Sequence, residues 1–201
     1  LDQVSNTRAI DLSTIKIVKQ KGGAIEDSEL IQGIVLDKDA ANEAMPKKIE
    51  HANILLIDFA LELRSPETET RISVSTPEQL QQFIASEEYA LQEMTKKIIS
   101  SGAKVVFCQK GIDDVAQYYL AKEEIMAYRR VAKSDIEKLA MATSGRIVSS
   151  LHEIKKDDLG FADVVEQIKK GDDTMTHVRG CKNPKAVTIL LRGSTNHILD
   201  E

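Results

Sequence analysis

The sequence predicts an α/β fold, and three observations carry that prediction. Strand-length apolar runs in the middle of the chain alternate with helical patterns, four of the former around three of the latter. The helical patterns are bounded by local start and stop residues. The composition, 42% apolar and 29% charged over 201 residues, is that of a globular protein long enough to bury a core without disulfides or a structural metal. Such alternation gives mainly parallel strands joined by right-handed crossovers, with helices covering the faces of the sheet.

In chain order, 15–19 and 31–36 are strand-like, with Lys21-Gly22-Gly23 as a turn signal between them. Residues 53–59 form the first continuous apolar run. A long helix over 77–101 follows, with Thr76 as N-cap, Pro77 at the first helical position, Gln79 closing a capping box and Gly102 as the stop. Residues 103–108 are the next buried strand, 113–123 a shorter helix and 125–130 a strand. Ser134-Asp-Ile-Glu137 is a second capping box, opening a helix that stops at Gly145, and 146–149 is a strand. A helix-like segment follows Asp157-Asp158. Residues 174–179 and 186–192 are strand-like, with a turn signal at Lys182-Asn-Pro184. No helix separates the members of either flanking pair, 15–19 with 31–36 and 174–179 with 186–192, so antiparallel pairing is expected in each. The last residues, 191–201, end without a helix cap, as if inside a larger protein.

The long helix exceeds what a small core can cover. At ~1.5 Å per residue it spans about 37 Å. Leu80, Phe83, Ile84, Leu91, Met94 and Ile98 share one stripe, which Glu87 and Glu88 interrupt. The C-terminal half is expected to dock on the sheet. The N-terminal half, preceded by the polar 64–71 stretch and by Ile72-Ser-Val74, is expected to project with a small apolar cluster of its own. A projecting arm implies an intermolecular contact.

Charge and motifs exclude several functions. With 27 Lys+Arg against 32 Asp+Glu the net charge is −5, and the basic pairs Lys47-Lys48, Lys96-Lys97, Arg129-Arg130 and Lys169-Lys170 are dispersed. Nucleic acid is therefore not an expected partner. No apolar run approaches the ~18 residues of a membrane span, and residues 1–8 lack the order of a signal peptide. A membrane partner is not expected either. Cys108 and Cys181 lie far apart and read as reduced, intracellular thiols. Lys21-Gly22-Gly23 lacks the frame of a phosphate loop, and Gly111 stands alone after its strand. His51, His152, His177 and His197 show no ligand spacing and read as surface or turn residues. Asp113-Asp114 and Asp157-Asp158 precede helix-like segments, where capping accounts for them, and Asp172-Asp173 sits in a turn. There is no nucleophile elbow. No catalytic, cofactor-binding or metal-binding residue is expected within the chain. On the short helix, Val115, Ala116, Tyr119 and Leu120 make the buried stripe, leaving Asp114, Gln117, Tyr118, Ala121 and Lys122 outward as either a binding patch or a solvated face.

At Gln109-Lys-Gly-Ile-Asp-Asp-Val-Ala-Gln-Tyr-Tyr-Leu120 the sequence resembles the apical, substrate-binding domain of group II chaperonins, with the flavour of an archaeal thermosome subunit. Collinear segments extend the resemblance over essentially the whole chain: Lys19-Gln-Lys-Gly-Gly-Ala-Ile-Glu-Asp27, Gly33-Ile-Val-Leu-Asp-Lys38, Met45-Pro-Lys-Lys48, Tyr128-Arg-Arg-Val131, Lys133-Ser-Asp-Ile-Glu-Lys138 and Gly180-Cys-Lys-Asn-Pro-Lys185. One departure stands at Asn42-Glu43-Ala44, where the family often has His-Pro-Gly, and it leaves that loop's conformation open.

The resemblance implies an intermediate-domain segment over 1–32, an apical domain over 33–185 with a helical protrusion at about 64–94, and a second intermediate segment over 186–201. It implies a cytoplasmic chaperone module that binds non-native polypeptide and supplies the built-in lid of an ATP-driven double ring of like or mixed subunits. Gln117, Tyr118 and Lys122 are the implied polypeptide-binding residues. Ile72, Val74, Leu80 and Phe83 are the implied lid contacts, with packing inside the arm as the equal alternative. ATP and Mg are implied for an equatorial domain this chain does not contain, so the chain is not expected to be an enzyme by itself. The readings kept beside this one are a free-standing α/β enzyme acting on a phosphorylated or nucleotide substrate, and a chaperonin-like module of a lipid kinase.

Overall fold

The computed structural model describes residues 14–22, 24–63, 76–170, 173–181 and 185–193. The chain enters through β1 (Ile15–Lys21), β2 (Glu29–Ile31), β3 (Gly33–Leu36) and β4 (Lys48–Ile57). It continues through α1 (Pro77–Ser101), β5 (Val105–Cys108), α2 (Asp114–Lys122), β6 (Met126–Tyr128), α3 (Lys133–Thr143) and β7 (Ile147–Val148). It closes with β8 (Gly160–Lys170), β9 (Asp173–Arg179) and β10 (Val187–Gly193).

These strands make two sheets, one of seven strands in the order β3-β9-β8-β4-β5-β6 with β7 on β4, the other of three in the order β1-β10-β2. The expected α/β centre is present: β5 and β7 each pair parallel to β4, and β6 parallel to β5. β8 accompanies β4 from Lys48 to Ile54, and β7 takes over alongside Leu56 and Ile57.

Period-two alternation along β4 and β5 divides the core. Ile54, Leu56, Val105 and Phe107 face α3, where Ile136, Leu139 and Ala142 meet them and Phe107 stacks on Tyr128 at 4.8 Å. Leu55, Ile57, Val106 and Cys108 face α1 and α2, where Leu91, Ile98, Ala116 and Leu120 cover them. A third, small core of Val18, Ile31, Val35, Met175 and Leu190 lies between the sheets.

Several expectations need correction. The segment after Asp158 is the eleven-residue strand β8, not a helix. Phe161, Val164, Val165 and Ile168 have helical spacing, and pairing on both sides with β4 and β9 overrides it. Neither flanking pair forms the expected antiparallel hairpin. β1 runs parallel to β10, while β9 pairs with β8 and β3. The run 31–36 is broken between β2 and β3, which belong to different sheets. Gly33 makes that switch possible, because its φ is +151° and an added Cβ would overlap the carbonyl of Val178. α3 is capped by Ala132 with no side-chain hydrogen bond, so Ser134 and Glu137 lie inside the helix and form no capping box. Its C-cap is Ser144 with φ 59°. Gly145 serves close approach to Gly160 instead, a Cβ there falling 2.8 Å from that residue's amide nitrogen. β4 begins at Lys48 and not at 53, since β8 pairs with its first half.

α1 begins and ends where Thr76, Pro77 and Gly102 place it. The Thr76 hydroxyl accepts from the Gln79 amide, and Gly102 ends the helix in the left-handed conformation. The loop left open at 42–44 is a turn in which Asn42 Oδ1 accepts from the Ala44 amide at 2.9 Å. It delivers Met45 to the core, where its sulfur accepts from the amide of Ala127. The turn signals at Gly23 and 182–184 fall outside the described residues.

Candidate functional site

The outward face of α2 and the first half of α1 form the candidate surface. α2 starts where Asp113 caps it, its carboxylate accepting from the Val115 amide at 2.9 Å. The preceding loop is held to the sheet by the amides of Gln109 and Asp113, which donate to the carbonyls of Ile57 and Leu61. Ala116 and Leu120 then bury against the sheet, fixing which side faces out.

Tyr118 and Lys122 are on that outer side, as expected, with Tyr118 60% exposed. Gln117 is not. It is 3% exposed, and its side-chain amide donates to the Ile112 carbonyl at 2.7 Å and to Asp114 Oδ1 at 3.0 Å. The inward arc is Ala116, Gln117 and Leu120, with Val115 and Tyr119 half-buried at its margin. Tyr119 packs edge-on against Tyr118 and donates from its hydroxyl to Glu88 Oε1 of α1 at 3.0 Å. That bond to a carboxylate raises the Tyr119 hydroxyl above the usual tyrosine range.

Along α1 one stripe passes from core to solvent. Leu91 and Ile98 are fully covered, whereas Leu80 and Ile84, on the same face further toward the N-terminus, are 48% and 53% exposed. Phe83 is half-buried. Ile72 and Val74 lie outside the described residues. Sequence reasoning missed Tyr89, an exposed aromatic on α1. Its signal was an aromatic on the polar face of an amphipathic helix.

The other described residues offer little reactive chemistry. Burial pushes the Cys108 thiol up to about 12 and Cys181 to about 11, so neither is a thiolate at neutral pH. His177, expected at the surface, is buried, with its Nδ1 3.0 Å from Arg179 Nη2. Asp158 sits in a one-turn 3-10 helix, where it accepts from the Lys155 amide and pairs with Arg146 at 3.4 Å. An open depression of about 440 Å³ is lined by Asp37, Lys38, Asp39, Arg129, Arg130 and Thr174, of mixed charge. Among the described residues no group of three or more His, Cys, Asp or Glu could hold a metal. No helix there is long and apolar enough to cross a membrane.

Against known proteins, the family model described as the TCP-1/cpn60 chaperonin family matches residues 2–201. The chain is 54% identical over 192 residues to thermosome subunit beta of Archaeoglobus fulgidus, covering 96% of this chain and 35% of that protein. It is 52% identical over 200 residues to thermosome subunit beta of Thermococcus kodakarensis, covering 100% and 37%. Among solved structures it is similar to the open state monomer of a group II chaperonin from Methanococcoides burtonii. The TM-score is 0.77 at 43% identity, over 94% of this chain and 41% of that one. The chain thus spans little more than a third of the length of these curated relatives.

Proposed function

Since the chain belongs to the TCP-1/cpn60 chaperonin family, we propose that it is the polypeptide-binding and lid-forming portion of a subunit in an ATP-driven, cytoplasmic, double-ring folding chamber. One observation carries the reading: the apolar stripe of α1 leaves the core at Leu91 and continues through exposed Ile84 and Leu80. An exposed extension of a buried stripe is stabilised when another chain covers it, at about 25 cal/mol per Å² of apolar area removed from water. The adjoining α2 face adds Tyr118 and Lys122, an aromatic and a cation able to accommodate clients of mixed sequence.

In this reading residues 33–185 are the apical domain, with a protrusion over about 64–94, and the three-stranded sheet belongs to the intermediate domain. Leu80 and Phe83, with Ile72 and Val74, are lid or capture contacts. Gln117 supports the surface from beneath. ATP and Mg act in a separate equatorial domain, and neighbouring subunits complete the ring. Release requires that the closed chamber offer the client fewer contacts than the open one, since only differential affinity shifts such an equilibrium. No residue set among those described favours the enzyme reading.

The test is aggregation of a chemically denatured protein diluted into buffer with and without this chain, no ATP added. Suppression that rises with chain concentration and falls in Tyr118→Asp supports the proposal. Ring avidity is supplied by displaying the chain on a multimeric scaffold, and absence of suppression in that format would refute it.

A further inference from the structure

The three-stranded sheet is joined to the seven-stranded body by two short chain crossings. Gln32 alone separates β2 from β3, and the return path runs from Gly180 at the end of β9 to Ala186 before β10. Each crossing carries a glycine at positive φ, +151° at Gly33 and +70° at Gly180. A side chain at Gly33 would overlap the Val178 carbonyl and one at Gly180 the Asp163 side chain, so glycine stands at both points near which the chain changes sheet.

The register shows how the small sheet is held against the body. Ile31, Thr188 and Lys16 lie in one row across β2, β10 and β1, so they project from the same face. Each attaches differently. Ile31 enters the small core. The Thr188 hydroxyl donates to the Gly33 carbonyl at 3.0 Å and accepts from the Val35 amide at 3.1 Å. Lys16 reaches past the sheet to Asp135 Oδ1 at 2.6 Å, in the first turn of α3.

This last link differs from the others in kind. Both side chains are largely covered, 15% and 20% exposed, so solvent screens the pair less than a surface bridge. Asp135 is also favoured by the N-terminal end of its helix. At the opposite edge, Glu29 of β2 meets Arg179 at 3.7 Å and Arg192 at 3.6 Å. Those contacts are long, and Nε of each arginine is buried without a hydrogen-bond partner among the described residues. The tight attachment is at the β1 edge.

We propose that the Lys16–Asp135 ion pair is a latch that fixes the small sheet against the seven-stranded body, beside the crossing at Gly33. While the pair is made, force applied through β1 or β10 moves α2 and its exposed face as one body with the sheet. Once it is broken, the apolar contact, the Thr188 bonds and the long Glu29–Arg179 contact hold the angle. The proposal does not depend on what α2 binds.

Hydrogen–deuterium exchange on the full chain tests it, comparing the amides of 33–36 and 187–190 with those of 105–108 in β5. In Lys16→Met, junction amides should exchange at least about tenfold faster while β5 is unchanged, the pattern of a local opening. Unchanged junction rates, or an equal rise in β5, would overturn it. Should Lys16→Met fail to fold, two further measurements decide. Lys16→Arg should keep wild-type rates at the junction. Asp135→Asn, which removes the charge at the other end of the pair, should show the same selective acceleration. Unchanged junction rates in that variant count against the latch.

Discussion

The side-chain amide of Gln117 closes the loop in front of α2 by donating to the backbone carbonyl of Ile112 at 2.7 Å. A residue placed by hydropathy on the outer face of the helix is thus part of the support beneath it. Its neighbour Tyr118 presents most of its ring to solvent, so the two adjacent positions carry opposite consequences for substitution.

Gln117→Ala removes a buried donor and leaves the Ile112 carbonyl without it, at a cost of about 1–3 kcal/mol. For a chain of this size that lowers the melting temperature by several degrees. Tyr118→Ala should stay within about 0.5 kcal/mol of wild type. Thermal melts of both variants check the pair, and a larger loss at Tyr118 would make it a packing residue instead of a surface one.

The contrast between these neighbours illustrates what was legible beforehand. Some signals local in sequence are readable, whereas the equally local ones at Ser134, Glu137 and Gly145 do not bound α3. Thr76, Pro77 and Gly102 bound α1 as expected because caps and stops act within a few residues. Alternating strand and helix patterns gave the parallel centre for the same reason. Pairing between distant segments was not readable. Nothing local tells Ile15 that it will lie beside Val187, and β8 carries a helix-like spacing that only its two neighbouring strands override. In the candidate surface, Tyr118 and Lys122 could be placed from periodicity. Gln117 could not, because its partner is a loop carbonyl and hydropathy does not encode such bonds.

Leu91 and Leu80 occupy the same face of α1 eleven residues apart, one covered and one open. Leu91→Ala should cost about 2–5 kcal/mol by emptying a filled site under the helix. Leu80→Ala should change stability by no more than about 0.5 kcal/mol, and in the proposed function it should still weaken capture of denatured protein. Urea denaturation with the aggregation assay separates the two. A destabilisation at Leu80 matching that at Leu91 would mean the arm packs on itself.

Gly33→Ala places a methyl group on the Val178 carbonyl, at an overlap that only movement of β3 away from β9 relieves. The positive φ adds backbone strain, so the loss should be at least about 2 kcal/mol. Gly22→Ala is the control: its φ is +101° but nothing lies within 4 Å of the added Cβ, leaving strain without overlap. Equal losses in urea midpoint for the two would show that conformation alone, and not the close approach to β9, selects glycine at position 33.

The buried thiols give a pH dependence whose direction follows from their shifts. Cys108 rises from an ordinary value of 9.0 to about 12 and Cys181 to about 11, burial being the main cause in each. Below pH about 9 folded and unfolded chains both keep the protons, and the thiols contribute no pH dependence. From there upward the unfolded chain ionises first, so stability falls as pH rises, by at most about 1.4 kcal/mol per pH unit per thiol. The fall from Cys181 ends near 11 and that from Cys108 near 12. Lysines and tyrosines titrate in the same range, so the informative quantity is a difference. Between pH 9 and 10.5, Cys108→Ala should lose stability less steeply than wild type, whatever its absolute stability. At pH 8 the folded chain should resist iodoacetamide at both cysteines and react at both in urea. Parallel slopes, or rapid labelling of Cys108 in the folded state, would mean that β5 opens to solvent far more readily than its position between the two helical layers allows.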